Sequence, residues 1–176
     1  MPVHVRHLFI SPGHNYFGHH GRPAGTHATV SVERVRCRAG RGIEGDRFFD
    51  YKEDYRGQIT FFDFSVWNGL CAALGVSGVN PGAVRRNVVV EGIDLPALIG
   101  ARFSLGGVTF EGTAESTPCY WMDQAVGPGA EAWLKGRGGL RARILTDGDL
   151  AVGPAAFTLE GGQLTLDAVL PAQAAR

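Results

Sequence analysis

Cys119 is the residue whose position most strongly suggests chemistry. It follows Pro118 at the end of a strand-rich stretch and precedes a segment that can form a helix. A thiol at a helix N-terminus lies near the positive end of the helix dipole, which favours the thiolate. A thiolate is both a nucleophile for sulfur chemistry and a soft metal ligand. The alternative is a small buried apolar residue, as we expect for Cys37 and Cys71.

Arginines that lie beside glycines form the second candidate group. A guanidinium is a rigid fork that matches phosphate, and neighbouring glycines let backbone amides approach an anion closely. Taken singly, such arginines pair with surface carboxylates, but together they predict an anionic ligand. No phosphate loop or dinucleotide fingerprint identifies that ligand. The clusters contain Arg47, then Arg85 and Arg86 before Asn87, then Arg137, Arg141 and Arg143.

Four histidines crowd one glycine-rich loop, at positions His14, His19, His20 and His27. Imidazoles bind zinc, copper or iron, but a structural zinc site needs four ligands and a catalytic site needs three. The spacing matches no zinc motif. Three interpretations therefore stay open: a metal site, a glycine-rich loop with incidental histidines, and the lining of a ligand pocket.

The overall composition excludes several classes of protein. The chain has 17 basic and 17 acidic residues, whereas a non-specific nucleic-acid binder normally has a large basic excess. Only Lys52 and Lys135 are lysines, so arginine supplies the other basic residues. No stretch reaches the roughly 20 apolar residues of a membrane span, and the N-terminus does not resemble a signal peptide. Three distant cysteines fit a reducing compartment, so we expect a cytoplasmic protein.

Alternation of apolar and polar residues predicts mostly strands. The opening VHVRHLFI is predicted as the first strand, and a parity slip between Val32 and Val35 in the next indicates a bulge. A short strand is expected over 87–90. Alternation on both sides of Gly106 and Gly107 predicts a hairpin. The stretch IEGDRFFDYKEDYRG is predicted to form a turn and a polar loop.

Helices are predicted at two places only. Apolar residues recur at helical spacing from Phe62 to Leu74, with Asp63 near the start of this pattern and Gly75 after its end. The residues after Cys119 can hold one or two short helices. Glycine makes up 26 of the 176 residues. Short strands with regular glycine turns and few helices predict a mainly β fold, a barrel or sandwich. Without a repeat or a linker, residues 1–176 are expected to form one domain.

Four stretches resemble the MOSC domain, which is named for the C-terminal domain of molybdenum-cofactor sulfurase. They occur in the family's order, and the resemblance extends over roughly residues 25–155. They are IEGDRFF, RRNVVVEGIDLPALIGARFSLGGVTFEGT, TPCYWM around Cys119, and GRGGLRARILTDGDLAVG.

The resemblance implies both a fold and a cofactor. The family fold is a β-barrel, of the MOSC or pyruvate-kinase-barrel type, with a few short α-helices. Its members bind or handle the molybdenum cofactor, molybdopterin, which combines a pterin, a dithiolene and a phosphate. By residue-to-residue matching, the contacts to pterin or phosphate would be Arg47, Arg85, Asn87 and Thr117, together with Arg141 and Arg143.

Three functions follow as hypotheses. In the first, Cys119 is the molybdenum ligand in the cofactor-binding subunit of a small reductase of N-hydroxylated compounds, served by an electron-transfer protein. In the second, Cys119 is a sulfur carrier that receives persulfide sulfur from a cysteine desulfurase that uses pyridoxal phosphate. In the third, a non-enzymatic module binds a metal through the loop that contains His14, His19 and His20. None of the three involves nucleic acid or a membrane.

Overall fold

The computed structural model describes residues 3–15 and 23–160, which form twelve β-strands. In chain order they are β1 (Val3–Ile10), β2 (Val30–Val32), β3 (Arg34–Arg38), β4 (Gly42–Ile43), β5 (Ile59–Asp63), β6 (Val88–Glu91), β7 (Arg102–Leu105), β8 (Val108–Glu115), β9 (Leu140–Ile144), β10 (Gly148–Ala151), β11 (Gly153–Ala155) and β12 (Phe157–Leu159).

The strands form one large sheet and one small sheet. The large sheet has the order β11-β1-β6-β5-β9-β8-β7-β12, with β2 also paired to β1, and the small sheet has the order β10-β3-β4. Within the described residues, only β5 and β6 pair in parallel. The chain therefore changes sheets between β2 and β3, which explains the parity slip between Val32 and Val35 better than a bulge does.

The large sheet is not closed into a barrel. Its edge strands, β11 and β12, are separated in the chain by Ala156 alone, and no ladder joins them in the described structure. Closure needs a continuous ladder between the first and last strands. These two strands pair instead with β1 and β7. The mainly β prediction with a few short helices is confirmed, and the predicted barrel is wrong because this last ladder is missing.

Three short helices lie beside the sheets: α1 (Phe64–Leu74), α2 (Trp121–Ala125) and α3 (Ala130–Leu134). Both predicted ends of α1 are confirmed. The Asp63 side chain accepts a hydrogen bond from the Ser65 amide at 2.6 Å, and Gly75 ends the helix with φ 63°. Phe62, counted with the helical pattern, belongs to β5, because a fully buried strand is apolar on both faces. No helix of the described chain is long and apolar enough to cross a membrane.

Two apolar clusters lie on opposite faces of the central strands. Phe61, Phe103 and Phe110 make mutual ring contacts in one cluster, with centroids 5.3–5.6 Å apart. Cys37 is buried in that cluster, where desolvation raises the pKa of its thiol to about 12, so the interpretation of Cys37 as a core residue is confirmed. The other cluster packs the three helices against Phe62, and the partly buried Cys71 borders it.

The predicted hairpin is confirmed in detail. Gly106 and Gly107, the two residues between β7 and β8, have φ values of 59° and 85°. Two consecutive positive φ angles define the type I′ turn that matches the twist of antiparallel strands. β8 then leads directly into the segment that contains Cys119.

Replacing Gly139 by alanine should destabilise the fold by about 3 kcal/mol. Gly139 has φ 99°, and a Cβ there would overlap the carbonyl oxygen of Phe61 in β5. Gly136 is the matched control, because its φ is 75° but nothing lies within 4 Å of the added atom. Gly136→Ala should cost only about 1 kcal/mol of backbone strain. Urea unfolding measures both values, and equal losses would contradict the steric account.

Candidate functional site

Cys119 lies in the loop that joins β8 to α2. It is exposed, and its carbonyl oxygen accepts a hydrogen bond from the Met122 amide at 2.8 Å at the start of the helix. The residue lines a cavity of about 290 Å³, which we call the Cys119 cavity. The described residues that line it include no carboxylate: His14, Asn15, Arg47, Phe48, Tyr51, Tyr55, Val84, Arg85, Arg86, Cys119, Trp121 and Met122.

Arg86 fixes the loop that precedes Cys119. Its four hydrogen bonds to described residues all go to carbonyl oxygens: Gly138 at 3.0 Å, Val84 at 2.9 Å, Ser116 at 2.6 Å and Thr117 at 3.5 Å. Hydrogen bonds from a charged donor are stronger than neutral ones. The guanidinium therefore links three separate chain segments, one of which leads into Cys119.

The charge of Arg86 is not neutralised by these carbonyl partners. Burial, followed by the neighbouring charge of Arg141, lowers the pKa of Arg86 to about 10, and an anionic Cys119 sulfur opposes this shift. The guanidinium remains a cation at neutral pH because its pKa still lies well above 7. Arg86 was noted in the sequence only as part of a cluster, without a role of its own.

Arg85 joins the two ends of the histidine-rich loop. Its guanidinium donates to the hydroxyl oxygen of Ser11 at 3.0 Å, to the carbonyl of Gly13 at 3.1 Å and to the hydroxyl oxygen of Thr29 at 3.3 Å. The residue itself has φ 55° at the end of the short turn Pro81–Val84. Arg85 also lines the Cys119 cavity.

Arg47 forms another part of the cavity wall and is held from behind. Its side chain is only 11% exposed, lies 3.4 Å from the Asp46 carboxylate, and places its guanidinium 4.9 Å from the centre of the Phe48 ring. Burial lowers the pKa of Arg47, and Asp46 opposes that shift. The Asp46 carboxylate also accepts from the backbone amides of Ser11 and Phe48.

Asn87 lies beneath the site rather than in its lining. The buried side chain accepts from the amide and the hydroxyl of Thr60, at 3.1 and 2.9 Å. It donates to the carbonyl of Phe9 and to the carboxylate of Asp46, both at 3.2 Å. Asn87 therefore positions Asp46, and through it Arg47, and the structure does not place it among the described cavity residues.

The remaining residues predicted to contact the cofactor are Thr117, Arg141 and Arg143, and they differ in how near the cavity they lie. Thr117 is exposed and contributes its carbonyl to Arg86. Arg141 is not among the lining residues, but its charge acts on Tyr55 and Arg86, so it lies nearby. The structure does not bring Arg143 to the site, because it forms ion pairs with Asp54 at 3.0 Å and with Glu111 at 3.7 Å beside another cavity.

The histidine loop contributes one residue to the cavity. His14 contacts the rings of Phe48 and Tyr51 at 4.9 and 5.6 Å, and burial together with the charge of Arg47 lowers its pKa. It is therefore mostly neutral at pH 7. Of the three interpretations of this loop, a pocket lining is the one that describes His14.

Of the other three histidines of the loop, His27 alone lies among the described residues. His27 is bound through its backbone to the Asn15 side chain, at 2.7 and 2.9 Å. His19 and His20 lie outside the described residues. Among residues 3–15 and 23–160, no group of three or more histidine, cysteine or acidic side chains is placed to hold a metal ion.

An aromatic wall faces the arginines, and the sequence analysis missed it. Phe48, Tyr51 and Tyr55 are in mutual contact, with ring centroids 5.0–5.3 Å apart. Burial raises the pKa of Tyr55. The sequence predicted a polar loop here because charged residues separate the three aromatic residues. Their spacing of three and four residues was the signal that could have revealed the aromatic wall.

The fold and site together define an open, mainly β protein with a thiol in a cationic, aromatic cavity. The MOSC domain family matches residues 54–156, which include Arg85, Arg86 and Cys119. The match extends over more than half of the 176 residues, so the chain belongs to the MOSC domain family. A comparison with curated proteins found no match.

Solved structures resemble the chain in fold. YuaD from Bacillus subtilis is 19% identical, with a TM-score of 0.69 over 89% of this chain and 95% of that one. YiiM from Geobacillus stearothermophilus is 14% identical, with a TM-score of 0.61 over 89% and 75%. YiiM from Escherichia coli is 15% identical, with a TM-score of 0.55 over 89% and 68%. Identities this low establish the shared fold alone.

Replacing Arg86 by glutamine should destabilise the protein by about 3 kcal/mol, because several charge-assisted hydrogen bonds to buried carbonyls are lost. The effect should be concentrated in the loop 116–120, whose amides should exchange faster with solvent. Arg102→Gln is the control: this exposed arginine on β7 should change stability by less than about 0.5 kcal/mol. Urea unfolding and hydrogen exchange measure the two effects, and an unchanged loop would contradict the role of Arg86.

Proposed function

We propose that the chain binds the molybdenum cofactor in the Cys119 cavity and is the molybdenum-binding subunit of a small reductase of N-hydroxylated compounds. One observation carries the proposal. The exposed thiol of Cys119 lines a cavity whose described residues include three arginines and no carboxylate.

The cavity fits the three chemical parts of this cofactor. The thiolate of Cys119 is a soft ligand for the metal. The aromatic wall presents ring faces and edges to a planar pterin. Arg47 and Arg85 place guanidinium cations in the lining, and their charge attracts the anionic phosphate. When bound, the cofactor supplies two-electron redox chemistry.

The protein's own residues hold this site in a preorganised state. Arg47 is fixed by Asp46, and Arg85 by Ser11 and Gly13, so neither guanidinium needs to reorder when an anion enters. Arg86 holds the loop of Cys119 in place. Tyr55 keeps its proton at neutral pH, because the ordinary pKa of a tyrosine is about 10 and burial raises it further, so its phenol can donate a hydrogen bond to a bound oxygen.

The reaction balances with an external electron donor. An N-hydroxylated compound takes up two electrons and two protons, its N–O bond breaks, and the products are the corresponding N–H compound and water. We propose an electron-transfer protein as the source of the electrons. A reducing cytoplasm, where a free thiol such as Cys119 persists, is the proposed compartment.

The metal content of purified protein tests this function. Expressed in a molybdate-fed host that makes the cofactor, the wild type should retain molybdenum and pterin. Cys119→Ala should lose at least about 90% of the molybdenum, because the ligand thiolate is gone. Cys71→Ala is the matched control and should retain both, since Cys71 lies in α1 beside the helix cluster. Negligible molybdenum and pterin in the wild type would overturn the proposal.

A second candidate is a sulfur carrier, and the exposure of Cys119 favours it, because a protein partner can reach the thiol. The persulfide of a cysteine desulfurase would be attacked by the Cys119 thiolate. The outer sulfur would move to Cys119, and the desulfurase thiolate would leave. This exchange needs no external oxidant, since the sulfane sulfur keeps its oxidation state.

Mass spectrometry distinguishes this candidate. After incubation with a pyridoxal-phosphate cysteine desulfurase and cysteine, the peptide with Cys119 should gain the mass of one sulfur atom. Cys119→Ser protein and reactions without cysteine should show no gain. An unmodified Cys119 beside an active, persulfidated desulfurase would exclude the sulfur-carrier function.

A further inference from the structure

The hydroxyl group of Tyr55 is a polar group at the Cys119 cavity that the fold itself does not use. Tyr55 lines the cavity together with Cys119. Its half-buried ring contacts the rings of Phe48 and Tyr51, with centroids 5.2 and 5.0 Å away. The hydroxyl forms no hydrogen bond within the described chain. A pocket orients its ligand through a few such polar groups, so this hydroxyl is available to a bound molecule.

The chain around Tyr55 fixes the position of the phenol. The Tyr55 amide donates to the Lys52 carbonyl at 3.3 Å. The next residue, Arg56, is joined to β8 twice, because its guanidinium donates to the Thr113 carbonyl at 2.6 Å and its carbonyl accepts from the Thr113 hydroxyl at 2.5 Å. A Cβ at Gly57 would lie 3.3 Å from the phenol oxygen, so glycine leaves room for the ring. Packing and backbone contacts therefore hold the phenol without the use of its hydroxyl.

The surroundings of Tyr55 accommodate both the phenol and the phenolate. Burial raises the pKa of Tyr55, whereas the positive charges of Arg141 and Arg47 oppose that rise. Since a tyrosine ordinarily has a pKa of about 10, the phenol keeps its proton at neutral pH. The same two cations stabilise the phenolate that remains when the proton is given to a ligand. A group that donates a proton and regains it in each turnover needs both conditions.

Reductive cleavage of an N–O bond needs a proton at the oxygen that leaves. Hydroxide is a poor leaving group, because water has a pKa of about 15.7, and a phenol is acidic enough to protonate it. The described lining of the Cys119 cavity contains no carboxyl group that could supply this proton. His14 is mostly neutral at pH 7, because burial and the charge of Arg47 lower its pKa. The phenol of Tyr55 is therefore a suitable acid in this lining.

We propose that Tyr55 is a catalytic residue, whose phenol donates a proton to the departing oxygen of an N-hydroxylated substrate. The inference rests on the proposed reductase function, which supplies the substrate and the electron-transfer protein. Two electrons from that protein reduce the substrate, the N–O bond breaks, and the O–H bond of Tyr55 is exchanged for an O–H bond of water. The nitrogen takes the second proton from solvent, and the phenolate regains its proton from solvent.

Tyr55→Phe removes the acidic proton and keeps the ring. The assay is the reduction of benzamidoxime by reduced methyl viologen, with protein purified from the molybdate-fed host. The variant should lose at least about 100-fold in kcat, because general acid catalysis contributes this much, while KM should change by less than about threefold. A raised KM with the wild-type kcat would show a binding role only and would overturn the proposal.

Measurements without turnover separate catalysis from folding and binding. Tyr55→Phe should keep the wild-type molybdenum content and the wild-type midpoint of urea unfolding, because the hydroxyl has no hydrogen-bond partner in the described chain. Calorimetry without an electron donor should show benzamidoxime binding weakened by no more than about tenfold, the effect of one lost hydrogen bond. An affinity loss as large as the loss in kcat would contradict proton donation.

Glu53→Gln is the matched control. Glu53 is exposed in the same loop and is not among the described lining residues of the Cys119 cavity, so this variant should keep the wild-type kcat. An active wild type beside an equally active Tyr55→Phe overturns the role of Tyr55 and leaves the reductase in place. A wild type that contains no molybdenum and reduces no benzamidoxime overturns the reductase, and the role of Tyr55 with it.

Discussion

The site depends on the guanidinium cation of Arg86, which donates hydrogen bonds to carbonyl oxygens. Arg86 donates to Val84, Ser116 and Gly138, which belong to three segments far apart in the chain. A carboxylate in their place would hold the segments together equally well but would cancel the charge. Carbonyls satisfy the donors and leave the charge in place. The same interaction thus orders the Cys119 loop and keeps the cavity positive.

A buried polar network connects the site to the central strands. Asn87 bonds to Thr60 on β5 and to the carbonyl of Phe9 on β1, and then to Asp46 at the base of the Arg47 turn. Such groups are costly to bury unless every one is paired, so the network permits few alternative arrangements. The position of the turn is therefore coupled to the register of the sheet.

Structural features set by residues close in sequence could be predicted, whereas features set by contacts between distant parts of the chain could not. Asp63, Gly75 and the Gly106–Gly107 turn act within a few residues, so their roles were correctly predicted. Closure of the sheet depends on which strands become its edges and whether those edges pair, and residue alternation does not encode this. In the same way, Cys119 and Arg47 were identified by type, whereas the placement of Asn87 below the cavity, and of Arg143 outside it, depends on tertiary packing.

The open sheet has a further consequence at its edge. A barrel has no free edges, but among the described residues β11 pairs on one side only, with β1. The strand has only three residues, and its middle residue is the exposed Pro154, which has no N–H to donate. A strand from another molecule would find an incomplete row of partners there. Proline thus gives this edge the protection against intermolecular strand addition that closure gives a barrel.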